Sequence, residues 1–173
     1  MELELIRSKI RNIPDFPKPG IIFKDITPLL QDRSAFQSCI DQMSYCLEDL
    51  DIDIIVGIES RGFIFGPTIA YRLAKGFIPL RKKGKLPGKT EQISYALEYG
   101  EGVLEIHADA LSRGQRVAII DDVLATGGTA LAAAQLVEKL GGKVAALTFL
   151  GELGLLKGRE KIAHYETFSL LQF

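Results

Sequence analysis

Thirteen consecutive residues, Val117-Ala118-Ile119-Ile120-Asp121-Asp122-Val123-Leu124-Ala125-Thr126-Gly127-Gly128-Thr129, concentrate the chemistry open to this chain. An apolar run with the look of a buried strand ends in two carboxylates; a tight turn with adjacent glycines and two threonines then opens a helix. A glycine-rich turn ahead of a helix exposes backbone N–H groups that have no intrahelical partner, and the helix dipole adds positive potential at the same place. The natural guest is a phosphate monoester. Thr126 and Thr129 add hydroxyl donors, while Gly127 and Gly128 let the backbone curl around the oxygens. Asp121 and Asp122 would repel a phosphate directly but suit ribose hydroxyls beside it, from which they accept hydrogen bonds. Carboxylates next to a phosphate cradle imply a sugar phosphate. Two aspartates after a strand also serve as a helix cap or a metal site, yet neither use asks for the Thr-Gly-Gly-Thr that follows. A Walker loop is excluded, because Gly88-Lys89-Thr90 has Lys83 five positions before its glycine, and there is no Gly-x-Gly-x-x-Gly for a dinucleotide.

The elements that must position this loop follow a β-α-β grammar. Residues 54–58 predict a strand, then a helix to about residue 75, then a strand over 77–80; the pattern returns as a strand over 116–121, a helix over about 129–140 ended by Gly141-Gly142, and a strand over 144–150. Nearly all-apolar strands joined by helices predict an α/β fold with a parallel sheet covered on both faces, and such sheets bind ligands at the carboxyl ends of their strands. In the second helix Ala130, Ala133, Val137 and Leu140 share one face, and Gln135, Glu138 and Lys139 the other. Upstream, residues 2–10 predict a helix with Leu3, Ile6 and Ile10 on one face, and Pro14, Pro17 and Pro19 predict a stiff extended loop. Phe36, Ile40, Met43, Leu47 and Leu50 mark a further helix, capped by Asp32 or Ser34. Residues 82–102, with Lys82, Lys83, Lys85, Lys89, Tyr95 and Tyr99, are long and polar for a connection and predict a lid-like loop.

Length and composition set outer bounds. The 173 residues are 47% hydrophobic and 25% charged, the make-up of one globular domain, 1–173. A net charge of −1 argues against wrapping nucleic acid, so any polyanion site must be local. The longest apolar runs are far short of the roughly 20 residues that span a bilayer, and the acidic, amphipathic start is unlike a secretory signal, so the expectation is a cytoplasmic protein without membrane contact. Cys39 and Cys46 share a helical stretch, which sets their Cα atoms about 10 Å apart, too far for a disulfide. His107 and His164 are widely separated and no cysteine pair has metal spacing, so no protein-held metal is expected.

The segment from Val117 to Thr129 resembles the signature of the phosphoribosyltransferases: hydrophobic residues, two acids, and a Thr-Gly-x-Thr type of loop. Three further segments, Phe16-Pro17-Lys18-Pro19-Gly20-Ile21-Ile22-Phe23-Lys24-Asp25, Glu59-Ser60-Arg61-Gly62-Phe63 and Tyr95-Ala96-Leu97-Glu98-Tyr99-Gly100, are similar to the branch of that family acting on adenine. The resemblance extends from about residue 12 to the C-terminus. It implies the type I fold of the family: a central, mainly parallel sheet flanked by helices, a small hood from about 1–30 with the C-terminal segment, and a flexible lid at about 82–102.

The resemblance also implies roles. Val123, Leu124, Ala125, Thr126, Gly127, Gly128 and Thr129 would hold the ribose 5′-phosphate, with Asp121 and Asp122 on the ribose. Ser60, Arg61 and Gly62, in a turn whose peptide is strained in the family, would bind pyrophosphate, and Arg61 offers the planar fork that donates to phosphates in pairs. Arg81, Lys82 and Lys85 would add positive charge over the same group. Main-chain groups at Ile22 and Lys24 would read the adenine edge, with Phe23 and Leu153 against its two faces; Lys24 stands where the family carries arginine. Glu98 would act as the acid near N7 of the purine, which makes Glu98, Asp121 and Asp122 the catalytic set.

The implied reaction joins adenine to phosphoribosyl pyrophosphate, giving AMP and pyrophosphate. Magnesium would sit mainly on substrate oxygens and water, and the family's enzymes are homodimers. A regulator that senses phosphoribosyl pyrophosphate would keep the same loop, but the near-neutral charge and the lack of a DNA-binding helix pair weigh against it. Enzymes for hypoxanthine, guanine or orotate share the loop as well; residues 16–25 and Glu98 weigh against them.

Overall fold

The two apolar runs that mark buried strands lie side by side in a computed structural model that describes residues 2–96 and 101–173. The chain divides into two compact units, Met1–Gln42 and Met43–Phe173.

In the first unit, α1 (Glu2–Ser8) leads into an antiparallel pair, β1 (Arg11–Pro14) and β2 (Ile22–Asp25), with Arg11 opposite Asp25 and Pro14 opposite Ile22. The proline-rich stretch is therefore the turn of a hairpin rather than a free extended loop. Pro14 is tolerated because it is the last residue of its strand, where a missing N–H costs least. The turn is closed by Gly20, at φ +84°, whose N–H donates to Asp15 Oδ1 at 2.7 Å, and by Phe16 packing edge-on against Phe23. A short helix, α2 (Thr27–Gln31), precedes α3 (Arg33–Glu48). Asp32 caps α3 as expected, its Oδ1 accepting from the Ala35 N–H at 3.0 Å while Oδ2 pairs with Lys9 Nζ at 2.7 Å. Both cysteines lie on α3; burial pushes the Cys39 thiol up to about 12.

The second unit is a seven-stranded sheet in the order β5-β6-β4-β3-β7-β8-β9. Its strands are β3 (Ile54–Ile58), β4 (Gly76–Lys82), β5 (Thr90–Ala96), β6 (Glu101–His107), β7 (Arg116–Leu124), β8 (Lys143–Glu152) and β9 (Thr167–Gln172). Pairings from β4 through β9 are parallel; β6 runs antiparallel to both β4 and β5. Helix α4 (Gly62–Arg72) joins β3 to β4, and α5 (Gly128–Lys139) joins β7 to β8. These crossovers leave in opposite directions from the β3–β7 pair, so right-handed connections put the helices on opposite faces. The strand order reverses between β3 and β7, and the crevice such a reversal leaves at the carboxyl ends is where open α/β sheets take ligands.

Apolar side chains of β3, β4, β6, β7 and β8 form the core with α5, whose Ala130, Ala132, Ala133, Ala134, Leu136 and Val137 are all buried. The buried face of α5 is thus wider than the stripe its spacing predicts. β5 lies against this helix, and Lys139 reaches it through Glu91 at 2.8 Å and the Gln92 carbonyl at 3.3 Å. Gln135, Glu138 and Lys139 are exposed as expected.

Residues 82–102, read from the sequence as a lid-like loop, carry among their described residues the end of β4, turns at Gly84 (φ +79°) and Gly88 (φ +81°), and strand pairing of Thr90 with His107 and Ala96 with Glu101. An edge strand buries one side only, and β5 spends just Ile93 and Tyr95 on the core, too weak a pattern to read as a strand. Among the described residues no helix is long and apolar enough to cross a membrane.

Candidate active site

The carboxyl ends of β4, β3, β7 and β8 bring together every candidate in the second unit except Glu98, which lies outside the described residues. β7 runs three residues further than its apolar stretch predicts, pairing Val123 with Gly151 and Leu124 with Glu152, so both aspartates belong to the strand. The turn after it hinges on Gly127, at φ +79°, a left-handed conformation that only glycine adopts freely. Its carbonyl accepts the Leu131 N–H at 2.9 Å, which starts α5 and leaves the amides at the helix entrance without intrahelical partners. Ala125, Thr126, Gly128 and Thr129 are all half-buried around this entrance.

Asp122 is 3% exposed and meets Arg61 Nε through Oδ2 at 2.6 Å; Asp121 is half-buried and accepts the Asp122 N–H through Oδ1 at 2.9 Å. Burial, with the neighbouring Asp122 charge, pushes the Asp121 carboxyl well above its usual range. Burial raises Asp122 too, against the pull of the Arg61 guanidinium. Gly62, the first residue of α4, lies tight against β7: a Cβ there would meet the Ile120 carbonyl oxygen at 2.7 Å and Asp121 Oδ1 at 3.2 Å. That close approach is what lets the turn after β3 share a site with the end of β7.

In that turn the Glu59–Ser60 peptide is cis, and Ser60 is exposed. Glu59 accepts the Lys82 N–H at 2.9 Å and meets Arg81 through Nε and Nη2, each at 3.3 Å, while Arg81 Nη1 donates to the Lys85 carbonyl at 3.0 Å. Burial opposes the Glu59 charge, but the Lys82 amide and Arg81 outweigh it and hold the carboxyl below its usual value. Arg81 also lies over the Phe63 ring, 6.0 Å from its centre. Lys82 and Lys85 are exposed at the start of the following turn. Leu153, just past β8, is tied by its N–H to the Leu124 carbonyl at 2.9 Å.

The remaining candidates are on β2 in the first unit. Ile22 is 56% exposed, Phe23 meets Phe16, and Lys24 Nζ donates to Asn12 Oδ1 at 2.8 Å. The lysine side chain thus serves the hairpin itself.

Two contributors escape sequence reasoning. Glu59 stands in the same motif as Arg61, but its grip on Arg81 needs β4 beside β3 to exist. Gly158 begins α6 (Gly158–Lys161) and touches the turn at Gly127; one glycine near the C-terminus carries no signal at all.

Residues 26–168 match the phosphoribosyl transferase domain. Over 166 residues the chain is 58% identical to adenine phosphoribosyltransferase of Alkaliphilus metalliredigens, covering 96% of this chain and 98% of that protein. The crystal structure of adenine phosphoribosyltransferase from Thermoanaerobacter pseudethanolicus superposes with a TM-score of 0.97 at 54% identity, over 99% of both chains. The Saccharomyces cerevisiae enzyme, solved with an imino-altritol bisphosphate and adenine, gives 0.92 at 41% identity over 98% of both.

Proposed function

Because the chain belongs to the phosphoribosyltransferase family, among its adenine phosphoribosyltransferases, we propose that it transfers the phosphoribosyl group of phosphoribosyl pyrophosphate to adenine, giving AMP and pyrophosphate in purine salvage. The observation that carries this reading is the meeting of an anion-binding helix entrance, two carboxylates and two arginines at the crevice where the strand order reverses.

The amides at Gly127 and Gly128 and the hydroxyls of Thr126 and Thr129 hold the 5′-phosphate, with Val123, Leu124 and Ala125 shaping the wall behind it. Asp121 and Asp122 accept from the ribose hydroxyls. Ser60, Arg61 and Gly62 take the diphosphate, with Arg81, Lys82 and Lys85 adding charge. To reach it Arg61 gives up Asp122, whose oxygen then meets a ribose hydroxyl, so one exchange of partners serves both ends of the substrate. Recognition of the base is assigned to Ile22, Phe23 and Lys24. Glu98 is assigned as the acid near N7.

The bond from the anomeric carbon to the diphosphate oxygen breaks with its electron pair leaving on pyrophosphate, as a ring nitrogen of adenine forms the new bond from the opposite face and releases its proton to solvent. The protein's work is orientation, charge stabilisation and exclusion of water. Magnesium, when bound, neutralises diphosphate charge and orients the leaving group. The carboxylates of Asp121 and Asp122 at the end of β7 suit that use, since they would reach it through water and ribose oxygens.

Two chains form the working unit, as the family's enzymes do; light scattering giving the mass of a single chain under assay conditions overturns this. The activity is tested by supplying phosphoribosyl pyrophosphate and magnesium with adenine, hypoxanthine, guanine or orotate in competition. AMP is the expected product, and turnover of another base with none of adenine overturns the assignment.

A further inference from the structure

We propose that Gly158 is a positioning residue for the phosphate loop, setting its curvature by backbone contact; this rests on residues 125–129 being the 5′-phosphate cradle. Gly158 is buried at the start of α6. A Cβ on it would fall well inside 3.0 Å of the Ala125 carbonyl oxygen and 2.8 Å from the Gly127 nitrogen. Reciprocally, a Cβ on Gly127 would fall well inside 3.0 Å of the Gly158 carbonyl oxygen and 3.1 Å from its Cα. These are backbone atoms, which unlike the end of a flexible side chain have no rotamer to escape into.

What must yield on enlarging Gly158 is decided by what holds each side. α6 is anchored from below: Ile162, at its end, is fully buried in the core, and Arg159 joins Glu152 and donates from Nη1 to the Thr167 carbonyl at 2.8 Å. The segment leading to it is fastened at its other end by the Leu153–Leu124 hydrogen bond. On the loop's own side the packing is looser: a Cβ on Gly128 would stand 3.2 Å from the Ala96 carbonyl oxygen and 3.8 Å from the Tyr95 ring. An added methyl at residue 158 therefore displaces the loop, and a misplacement of about 1 Å at a binding group is enough to cost up to a hundredfold.

Gly158→Ala is expected to raise KM for phosphoribosyl pyrophosphate at least about tenfold, with KM for adenine and kcat within about threefold, a split that general loss of structure does not produce. By calorimetry the same variant loses ribose 5-phosphate affinity by about tenfold and keeps that for inorganic pyrophosphate. Gly154→Ala, in the same segment but with its nearest neighbour 3.9 Å away, leaves both constants unchanged. Equal ribose 5-phosphate binding by wild type and Gly158→Ala overturns the inference; failure of the wild type to bind ribose 5-phosphate overturns the cradle reading beneath it. If Gly158→Ala does not fold, hydrogen exchange on the wild type decides: ribose 5-phosphate must slow exchange at 157–159 together with 126–129, and no change at 157–159 overturns the role of Gly158.

Discussion

The turn at Ala125–Thr129 and the cations at Arg61 and Arg81 are both assigned to phosphate groups, yet they are built on different principles. The turn offers backbone amides at a helix entrance, shaped by a left-handed glycine and by close packing on Gly158, with no charge of its own to satisfy. The arginines come already paired, Arg61 with Asp122 at 2.6 Å and Arg81 with Glu59 at 3.3 Å. On the proposed roles, a phosphate would enter the turn at amides the helix leaves open, whereas a diphosphate would meet in Arg61 a guanidinium whose Nε already holds Asp122. On that proposal the two halves of one substrate would be met by a preformed cradle and by an exchange of ion pairs. The first would give affinity through geometry, and the second would couple arrival of the diphosphate to release of the carboxylate assigned to the ribose.

Four substitutions test this contrast. Converting both aspartates, Asp121→Asn with Asp122→Asn, removes the acceptors on the exchange side and is expected to cut kcat by roughly a thousandfold or more with folding intact by circular dichroism; near-normal turnover removes their ribose role. Gly127→Ala should raise KM for phosphoribosyl pyrophosphate by roughly a hundredfold, since it sets an L side chain at φ +79° against the Gly158 backbone. An affinity within threefold of wild type would mean that the cradle is not preformed. Arg61→Lys keeps the charge but loses the planar fork, so inorganic pyrophosphate binding should weaken by about tenfold while ribose 5-phosphate binding holds; parallel loss of both ligands would merge the two halves.

The smallest effect is on stability. Asp121 has its folded-state pKa above the ordinary 3.8, so the folded protein retains a proton that the unfolded chain releases, and stability from this site falls as pH rises from 3.8 through the folded value. Asp121→Asn should raise the melting temperature at neutral pH by roughly 2–4 °C, with the gain disappearing below pH 3.8. A gain independent of pH would place its cause elsewhere.

Strands β3, β4, β7 and β8 and helices α3, α4 and α5 are legible in the sequence because each buries a continuous or periodic apolar face, and the Asp-Asp and Thr-Gly-Gly-Thr motif announces a sugar phosphate because every group it needs is local. Hairpin β1–β2, edge strand β5 and its neighbour β6 are not legible, since their order comes from a partner strand rather than from their own pattern. The pairing of Arg61 with Asp122 joins residues 61 positions apart in the chain; it exists only because β3 and β7 are neighbours at the reversal of the strand order. Glu59 acquires Arg81 through β4, and Gly158 acquires the turn at Gly127 through α6. Local chemistry thus determined which ligand the chain can hold, and tertiary packing alone decided which charges wait in pairs and which backbone braces the cradle, because those contacts depend on distances that no sequence spacing encodes.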